Sequence, residues 1–208
     1  ELTVVPELFL NTDPEDAPLD DLEEENAAVE PNRLELVTRQ NADHESPIRI
    51  VRESIDPERR SVRQLNRRYT FNEFVCGPSN QFAYAATKAV AGKPGQSYNP
   101  LFIFGGVGLG KTHLLTAIGH QVLHERPGAR VVYTTAEQFT NEVVHAVMAG
   151  KLEEFRSKYR KNADLLLIDD IQLLAGKKRT QHELFHLFNT LYDSQRQLVF
   201  TSDTLPHE

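Results

Sequence analysis

The sequence predicts an α/β protein in which helices cover both faces of a parallel β-sheet, preceded by an acidic linker. Three observations support this prediction. Short apolar runs alternate with amphipathic stretches from residue 65 onward, a glycine-rich turn follows the first of these runs, and acidic residues dominate the first 60 positions. Strands that alternate with helices need crossover connections, which make neighbouring strands parallel.

The acidic leader differs from the rest of the chain. Residues 1–60 contain 17 Asp and Glu against six Arg and no Lys, whereas residues 61–208 contain 13 acidic and 17 basic residues. A segment of this composition does not bury enough apolar surface to offset its ordering entropy. We therefore predict that residues 1–64 form a flexible, mostly disordered linker, with an acidic docking surface for a basic partner as the alternative.

Four apolar runs and five amphipathic stretches define the predicted elements. Each run is apolar on both sides, which is typical of strands buried between two helical layers. The predicted strands cover residues 101–104, 130–133, 165–168 and 198–201. The predicted helices cover residues 79–91, 111–126, 136–149, 151–160 and 180–195.

Composition also bears on the compartment. The single cysteine, Cys76, cannot form an internal disulfide, which fits a reducing environment. No run of 18 apolar residues predicts a membrane span, and no secretory signal is visible. We expect a cytoplasmic protein. The initial Glu1 suggests a fragment of a longer sequence, with a natural truncation as the alternative.

The glycine-rich turn reads G-G-V-G-L-G-K-T over residues 105–112 and matches G-x-x-x-x-G-K-[ST] at every fixed position. It lies between a predicted strand and a predicted helix, as a phosphate-binding loop requires. We expect Lys111 to reach the β- and γ-phosphates and the Thr112 hydroxyl to ligate Mg²⁺. The predicted nucleotide-binding residues of this region are Gly106, Gly108, Leu109, Gly110, Lys111, Thr112 and His113.

A second motif, L-L-L-I-D-D, ends a later strand with two carboxylates. Asp169 is suited to holding Mg²⁺, and Asp170 to orienting or deprotonating the attacking water. At the end of the following strand, Thr201, Ser202 and Asp203 are positioned to place a polar side chain between the two motifs. The predicted catalytic residues are Lys111, Asp170 and Asp203.

The stretch Q-H-E-L-F-H contains H-E-x-x-H, the pattern of zinc metalloproteases. Zinc catalysis needs a third protein ligand, and no convincing one follows. The same helix carries an apolar stripe at spacings of three and four, formed by Leu184, Leu187, Phe188 and Leu191. We predict that this helix serves packing, with His182 and Glu183 facing solvent and His186 closer to the stripe.

Several strings together resemble the AAA+ module of the DnaA family of bacterial chromosomal replication initiators. They are Y-T-F-N-E-F-V-C-G-P-S-N, N-P-L-F-I-F-G-G-V-G-L-G-K-T-H-L-L, L-L-L-I-D-D-I-Q and L-V-F-T-S-D, and the likeness extends over residues 65–208. The resemblance implies a P-loop NTPase (AAA+) fold that binds ATP or ADP. It also implies ATP-dependent self-assembly on the replication origin and opening of the duplex, with slow ATP hydrolysis as the off-switch.

The resemblance also assigns residues and partners. Phe74, Val75, Gly77 and Asn80 match the stretch that borders adenine, and Asp203 matches the sensor-1 position. Val144, Lys177 and Arg179 match residues that line a path for single-stranded DNA. The family further contacts helicase and regulators through other regions, and the full-length protein can contact acidic phospholipid.

In the family, the fifth strand, the arginine finger, the helical lid and a helix-turn-helix domain lie beyond the equivalent of residue 208. We therefore expect weak ATPase activity from this chain and no sequence-specific binding of duplex DNA. Two other functions stay open. One is an AAA+ helicase loader or initiator regulator, although the sequence motif F-V-x-G-x-S-N argues against it. The other is a module that binds nucleotide or single-stranded DNA without turnover.

Overall fold

The computed structural model describes residues 2–5 and 65–204. The strands are β1 (Thr3–Val5), β2 (Leu101–Phe104), β3 (Val131–Thr135), β4 (Leu165–Asp169) and β5 (Gln197–Ser202). The helices are α1 (Gln81–Gly92), α2 (Lys111–Glu125), α3 (Ala136–Met148), α4 (Leu152–Asn162) and α5 (Lys178–Asp193), with 3₁₀ turns at Phe71–Glu73 and Ile171–Leu174. None of the described helices is both long and apolar enough to cross a membrane. The linker predicted for residues 1–64 lies outside the described residues, apart from residues 2–5.

The described strands form one sheet in the order β1-β2-β5-β4-β3. The last four are parallel, and helices lie on both faces, which confirms the predicted α/β class. Although β5 comes last in the chain, it lies between β2 and β4. The carboxyl ends of these three strands therefore meet at one edge of the sheet, where open α/β sheets bind ligands.

Alternating side chains along the strands divide the core into two clusters. In β4, Leu165 and Leu167 face one cluster with α1 and α2, whereas Leu166 and Ile168 face the other with α3, α4 and α5. This alternation follows from the two-residue period of a strand. The apolar run predicted as a central strand is therefore buried on both faces.

Strand β3 departs from the prediction that every strand is buried on both sides. Val131 and Thr134 are buried, but Val132 and Tyr133 are only half-buried. The reason is its position at the edge of the sheet, where β4 is its only neighbour among the described strands. An apolar run in the sequence does not distinguish an edge strand from a central one.

Strand β1 was not predicted, because it lies within the acidic leader. It pairs antiparallel with β2, so that Thr3 is opposite Phe104 and Val5 is opposite Phe102. The sequence T-V-V is rich in β-branched residues, which favour strands. Leu2 precedes it with a buried side chain, and its N–H donates to the Ser79 carbonyl at 3.2 Å.

Candidate nucleotide-binding site

The glycine-rich loop connects the carboxyl end of β2 to the start of α2. Gly108 and Gly110 have φ values of 80° and 91°, in the left-handed region that glycine adopts without a steric cost. The Gly105 N–H donates to the Ser202 carbonyl at 3.2 Å, which ties the loop to the end of β5. Since α2 begins at Lys111, the unpaired N–H groups of its first turn are available to an anion in the loop.

Lys111 lies inside this loop and is only 8% exposed. Its Nζ donates to the carbonyl oxygens of Gly105 at 2.8 Å and Gly106 at 2.9 Å. The ammonium is therefore held within the loop by neutral acceptors. Phosphate oxygens are stronger acceptors because they are ionised, so the loop is suited to an anionic ligand.

Aromatic side chains attach the segment before α1 to the phosphate loop. The Phe74 ring stacks on Tyr84, with centroids 5.8 Å apart, and meets His113 edge-on at 5.3 Å. His113 also stacks on Tyr69 at 4.9 Å, and its Nε2 lies 2.7 Å from the Thr70 carbonyl oxygen. Because His113 follows the loop directly, these contacts couple the predicted adenine-bordering stretch to the phosphate end of the site.

Asn80 fixes the turn that follows Phe74. Its Oδ1 accepts the Gly77 N–H at 2.8 Å, and its Nδ2 donates to the Val75 carbonyl at 3.0 Å. The Val75 side chain is 86% exposed. The turn thus leaves an apolar side chain open to solvent next to Phe74 in the chain, which is compatible with contact to a planar base.

Asp169 is the last residue of β4 and is 3% exposed. The Thr201 hydroxyl donates to one of its oxygens, and the Tyr133 hydroxyl donates to the other at 3.1 Å. Of the three polar residues predicted at the end of β5, Thr201 is the one whose side chain contacts Asp169. Tyr133 was missed, because the sequence does not reveal that β3 and β4 are neighbours.

Asp170 begins the turn after β4 with φ 57° and ψ 49°, a left-handed conformation that Asp tolerates better than most residues. Its N–H donates to Thr201 Oγ1 at 3.0 Å, and Gln172 Nε2 donates to its Oδ1 at 3.3 Å. Within the described part of the chain, Gln172 Oε1 is the one buried side-chain polar atom without a hydrogen-bond partner. The turn therefore leaves a carboxylate and an unused acceptor at the edge where the parallel strands end.

Two other predicted residues complete this edge. Thr112 is half-buried in the first turn of α2, and Asp203 is exposed directly after β5. The hydroxyl of Thr112 and the carboxylate of Asp169 are hard oxygen ligands of the kind that Mg²⁺ prefers. The residues present therefore fit the magnesium ion that the motifs imply.

The predicted DNA-binding residues lie on two neighbouring elements, helix α3 and the start of helix α5. Val144 is exposed on α3, and Lys177 and Arg179 are exposed at the start of α5. Helix α3 packs against both α5 and the turn Ile171–Leu174. Arg179 also forms an ion pair with Glu183, whose Oε1 lies 3.8 Å from its Nε.

The H-E-x-x-H helix requires one correction. Glu183 was predicted to face solvent, but its side chain is fully buried and accepts two hydrogen bonds from Arg156, at 2.8 Å and 3.0 Å. Helix α4 packs on this side of α5 and supplies the guanidinium that makes a buried carboxylate tolerable. His186 was expected near the apolar stripe but is exposed, as is His182. The glutamate that a zinc protease would use as a general base therefore forms a buried ion pair in this chain.

Comparison with known proteins agrees with this geometry. Residues 65–208 match the family described as the bacterial DnaA ATPase domain. The chromosomal replication initiator protein DnaA of Citrifermentans bemidjiense is 58% identical over 147 residues, which cover 71% of this chain and 32% of that protein. This chain therefore spans about a third of the length of that relative.

Solved structures share the fold. Domain III of the Thermotoga maritima replication initiation protein DnaA superposes with a TM-score of 0.68 at 57% identity, over 69% of this chain and 60% of that one. A replication initiator DnaA bound to AMPPCP and single-stranded DNA superposes with a TM-score of 0.66 at 44% identity, over 70% of this chain and 44% of that one. Together with the intact phosphate loop and the paired carboxylates, these matches show that the chain belongs to the bacterial DnaA family through its ATPase domain.

Proposed function

We propose that this chain is the nucleotide-binding module of a bacterial initiator of chromosomal DNA replication, which binds ATP or ADP with Mg²⁺. The observation that carries the proposal is the relation between Lys111 and Asp169. Lys111 is held inside the loop after β2, and Asp169 is held by two hydroxyl groups at the end of β4, on either side of β5. A cationic loop and a buried carboxylate at one sheet edge are suited to a magnesium-bound triphosphate.

The site residues divide into roles. The phosphates would be surrounded by backbone N–H groups, those of Gly106, Gly108, Leu109 and Gly110. Lys111 would neutralise the phosphate charge. Thr112 and Asp169 would hold Mg²⁺, which supplies charge neutralisation between the phosphate oxygens. Asp170 would orient or deprotonate the attacking water, and Asp203 would sense the terminal phosphate from the end of β5. The residues that would border the base are Phe74, Val75, Gly77 and Asn80. His113 would hold this stretch against the phosphate loop.

The proposal extends to DNA and to assembly. A family member of known structure binds AMPPCP, an ATP analogue, together with single-stranded DNA. In this chain Val144 would contact bases, and Lys177 and Arg179 would contact phosphates. ATP binding would promote self-assembly on the replication origin and duplex opening, with slow hydrolysis ending the active state. Other parts of the full protein would contact helicase, regulators and acidic phospholipid, in the cytoplasm where the chromosome lies.

Equilibrium binding of fluorescent ATP and ADP with Mg²⁺, with and without single-stranded DNA, tests the proposal. Lys111→Ala removes a charged hydrogen-bond donor worth about 1.5–3 kcal/mol, so its dissociation constant should rise about 10- to 100-fold. Lys93→Ala is the matched control, because Lys93 is exposed in the loop between α1 and β2, at the opposite edge of the sheet. Equal affinity of Lys111→Ala and wild type would refute the assigned site. A DNA-dependent change in affinity would support the initiator function.

A further inference from the structure

Tyr133 forms a hydrogen bond with Asp169 in the candidate site. Neither the sequence motifs nor the stretches that resemble the family identify this residue. It lies on the edge strand β3, opposite Leu167 of β4, two positions before the pair formed by Thr135 and Asp169. From there its half-buried side chain reaches along the sheet, and its hydroxyl donates to Asp169 Oδ2 at 3.1 Å.

The Asp169 carboxylate is therefore held from both neighbouring strands. Thr201 of β5 donates to Oδ1, and Tyr133 of β3 donates to Oδ2. Turning the carboxylate plane about the Cβ–Cγ bond would break both hydrogen bonds. The two donors therefore define one orientation of the carboxylate plane. Each oxygen keeps a further lone pair for another donor, because an ionised carboxylate has about four acceptor positions.

The Tyr133 hydroxyl acts as a permanent donor. A phenol with its usual pKa of about 10 is protonated at neutral pH. Since it already donates its single proton to Asp169, it cannot donate to a phosphate or a water without releasing that carboxylate.

We propose that Tyr133 is a positioning residue that sets the magnesium affinity of the nucleotide complex by fixing Asp169 Oδ2. This inference rests on the proposed function, since it concerns the same nucleotide site. Mg²⁺ keeps several of its waters when bound and demands near-octahedral geometry, so a carboxylate that holds those waters must be accurately oriented. Groups that orient metal-binding side chains typically change metal affinity 10- to 100-fold when they are removed. Because Thr201 still holds Oδ1, the loss at Tyr133 falls at the low end of that range.

The test compares Tyr133→Phe with Tyr159→Phe in the 208-residue chain. Tyr159 is the matched control because its hydroxyl, on helix α4, also donates to a carboxylate at 3.1 Å, that of Glu142 on α3, and neither residue has an assigned role in the nucleotide site. Binding of a fluorescent ATP analogue is measured across a Mg²⁺ titration and again in EDTA. We expect Tyr133→Phe to weaken binding in Mg²⁺ about tenfold and to leave binding in EDTA unchanged. Tyr159→Phe should match the wild type in both conditions.

A loss of equal size in Mg²⁺ and EDTA would overturn the inference, as would no loss in either, because either result makes the hydrogen bond purely structural. Failure of the wild type to bind nucleotide at all would overturn the proposed function itself, and the inference with it. A double-mutant cycle with Asp169→Asn tests whether Tyr133 acts through the carboxylate. In the Asp169→Asn background, Tyr133→Phe should no longer change the magnesium dependence, and a persisting effect would contradict the assignment.

Discussion

The ring of Phe74 occupies the space that a side chain at Gly110 would need. A β-carbon on Gly110 would lie 2.8 Å from Phe74 Cε2, closer than such contacts occur in proteins. Gly110 also has a φ of 91°, which is strained for any residue with a β-carbon. Glycine is therefore required at position 110 for two reasons. The backbone there has a positive φ, and the Phe74 ring packs where a side chain would lie.

We accordingly expect Gly110→Ala to destabilise the protein by about 1–2 kcal/mol and to displace Phe74 from the loop. Nucleotide affinity should fall together with thermal stability. Gly128→Ala is the control, since no atom lies within 4 Å of its added β-carbon and its φ is not positive. It should be neutral or slightly stabilising. Equal melting temperatures for the two variants in a thermal unfolding experiment would contradict this account.

A second prediction concerns the ion pair between α4 and α5. Arg156→Ala leaves the buried Glu183 carboxylate without its two closest donors, which costs about 3–5 kcal/mol in comparable pairs. We expect a loss of about 2–3 kcal/mol in urea unfolding, because Arg179 lies 3.8 Å from the same carboxylate and compensates in part.

Arg160→Ala provides the comparison within the same helix. Its partner, Glu153, is largely exposed, and exposed pairs contribute less than about 1 kcal/mol. If both substitutions cost the same, the burial of Glu183 does not govern the stability of this contact. Nucleotide affinity should change little in either variant, since the pair lies away from the phosphate loop.

The contrast between Glu183 and Asp169 shows what sequence alone can predict. Sequence motifs predict the phosphate loop and the two carboxylates because the expected chemistry requires particular residue types at fixed positions, between a strand and a helix for the loop and at the end of a strand for the carboxylates. The bounds of the predicted helices and strands agree with the structure to within two residues, since the change from one apolar period to the other marks where an element ends. The exposure of Glu183 was predicted wrongly because the apolar periodicity of one helix carries no information about neighbouring helices. Here helix α4 supplies the guanidinium that pairs with the carboxylate.

Tyr133 and Thr201 illustrate a second limit. Both contact Asp169, yet they lie 36 and 32 positions away from it in the chain. Their proximity depends on the strand order β5-β4-β3, in which the last strand is inserted between the first and third of the parallel set. Periodicity predicts that strands exist but does not give their order, so contacts across strands become visible only in the folded chain.

A third prediction tests the proposed path for single-stranded DNA. Lys177→Ala should weaken DNA binding and reduce the slope of log affinity against log salt by about 0.7, the value expected for one lost phosphate contact on a single strand. Lys93→Ala removes the same charge at the opposite edge of the sheet and should leave the slope unchanged. Salt titrations of fluorescent oligonucleotide binding measure both, and equal slopes for the two variants would place the DNA elsewhere.

The final prediction concerns pH and the far edge of the sheet, where Asp164 joins the starts of three strands. Arg130 donates to its carboxylate at 2.6 Å and 3.0 Å, and Arg196 lies 3.5 Å away. The hydrogen bond from the Arg130 side chain, chiefly, holds the pKa of Asp164 below its usual value. A carboxylate with a depressed pKa in the folded state stabilises the protein fully above its unfolded pKa of about 3.9, and loses that contribution as the pH falls further. Asp164→Asn should therefore lower the melting temperature at pH 7 and narrow its gap to wild type below about pH 4. A gap that stays constant down to pH 3 would show that Asp164 does not contribute to acid unfolding.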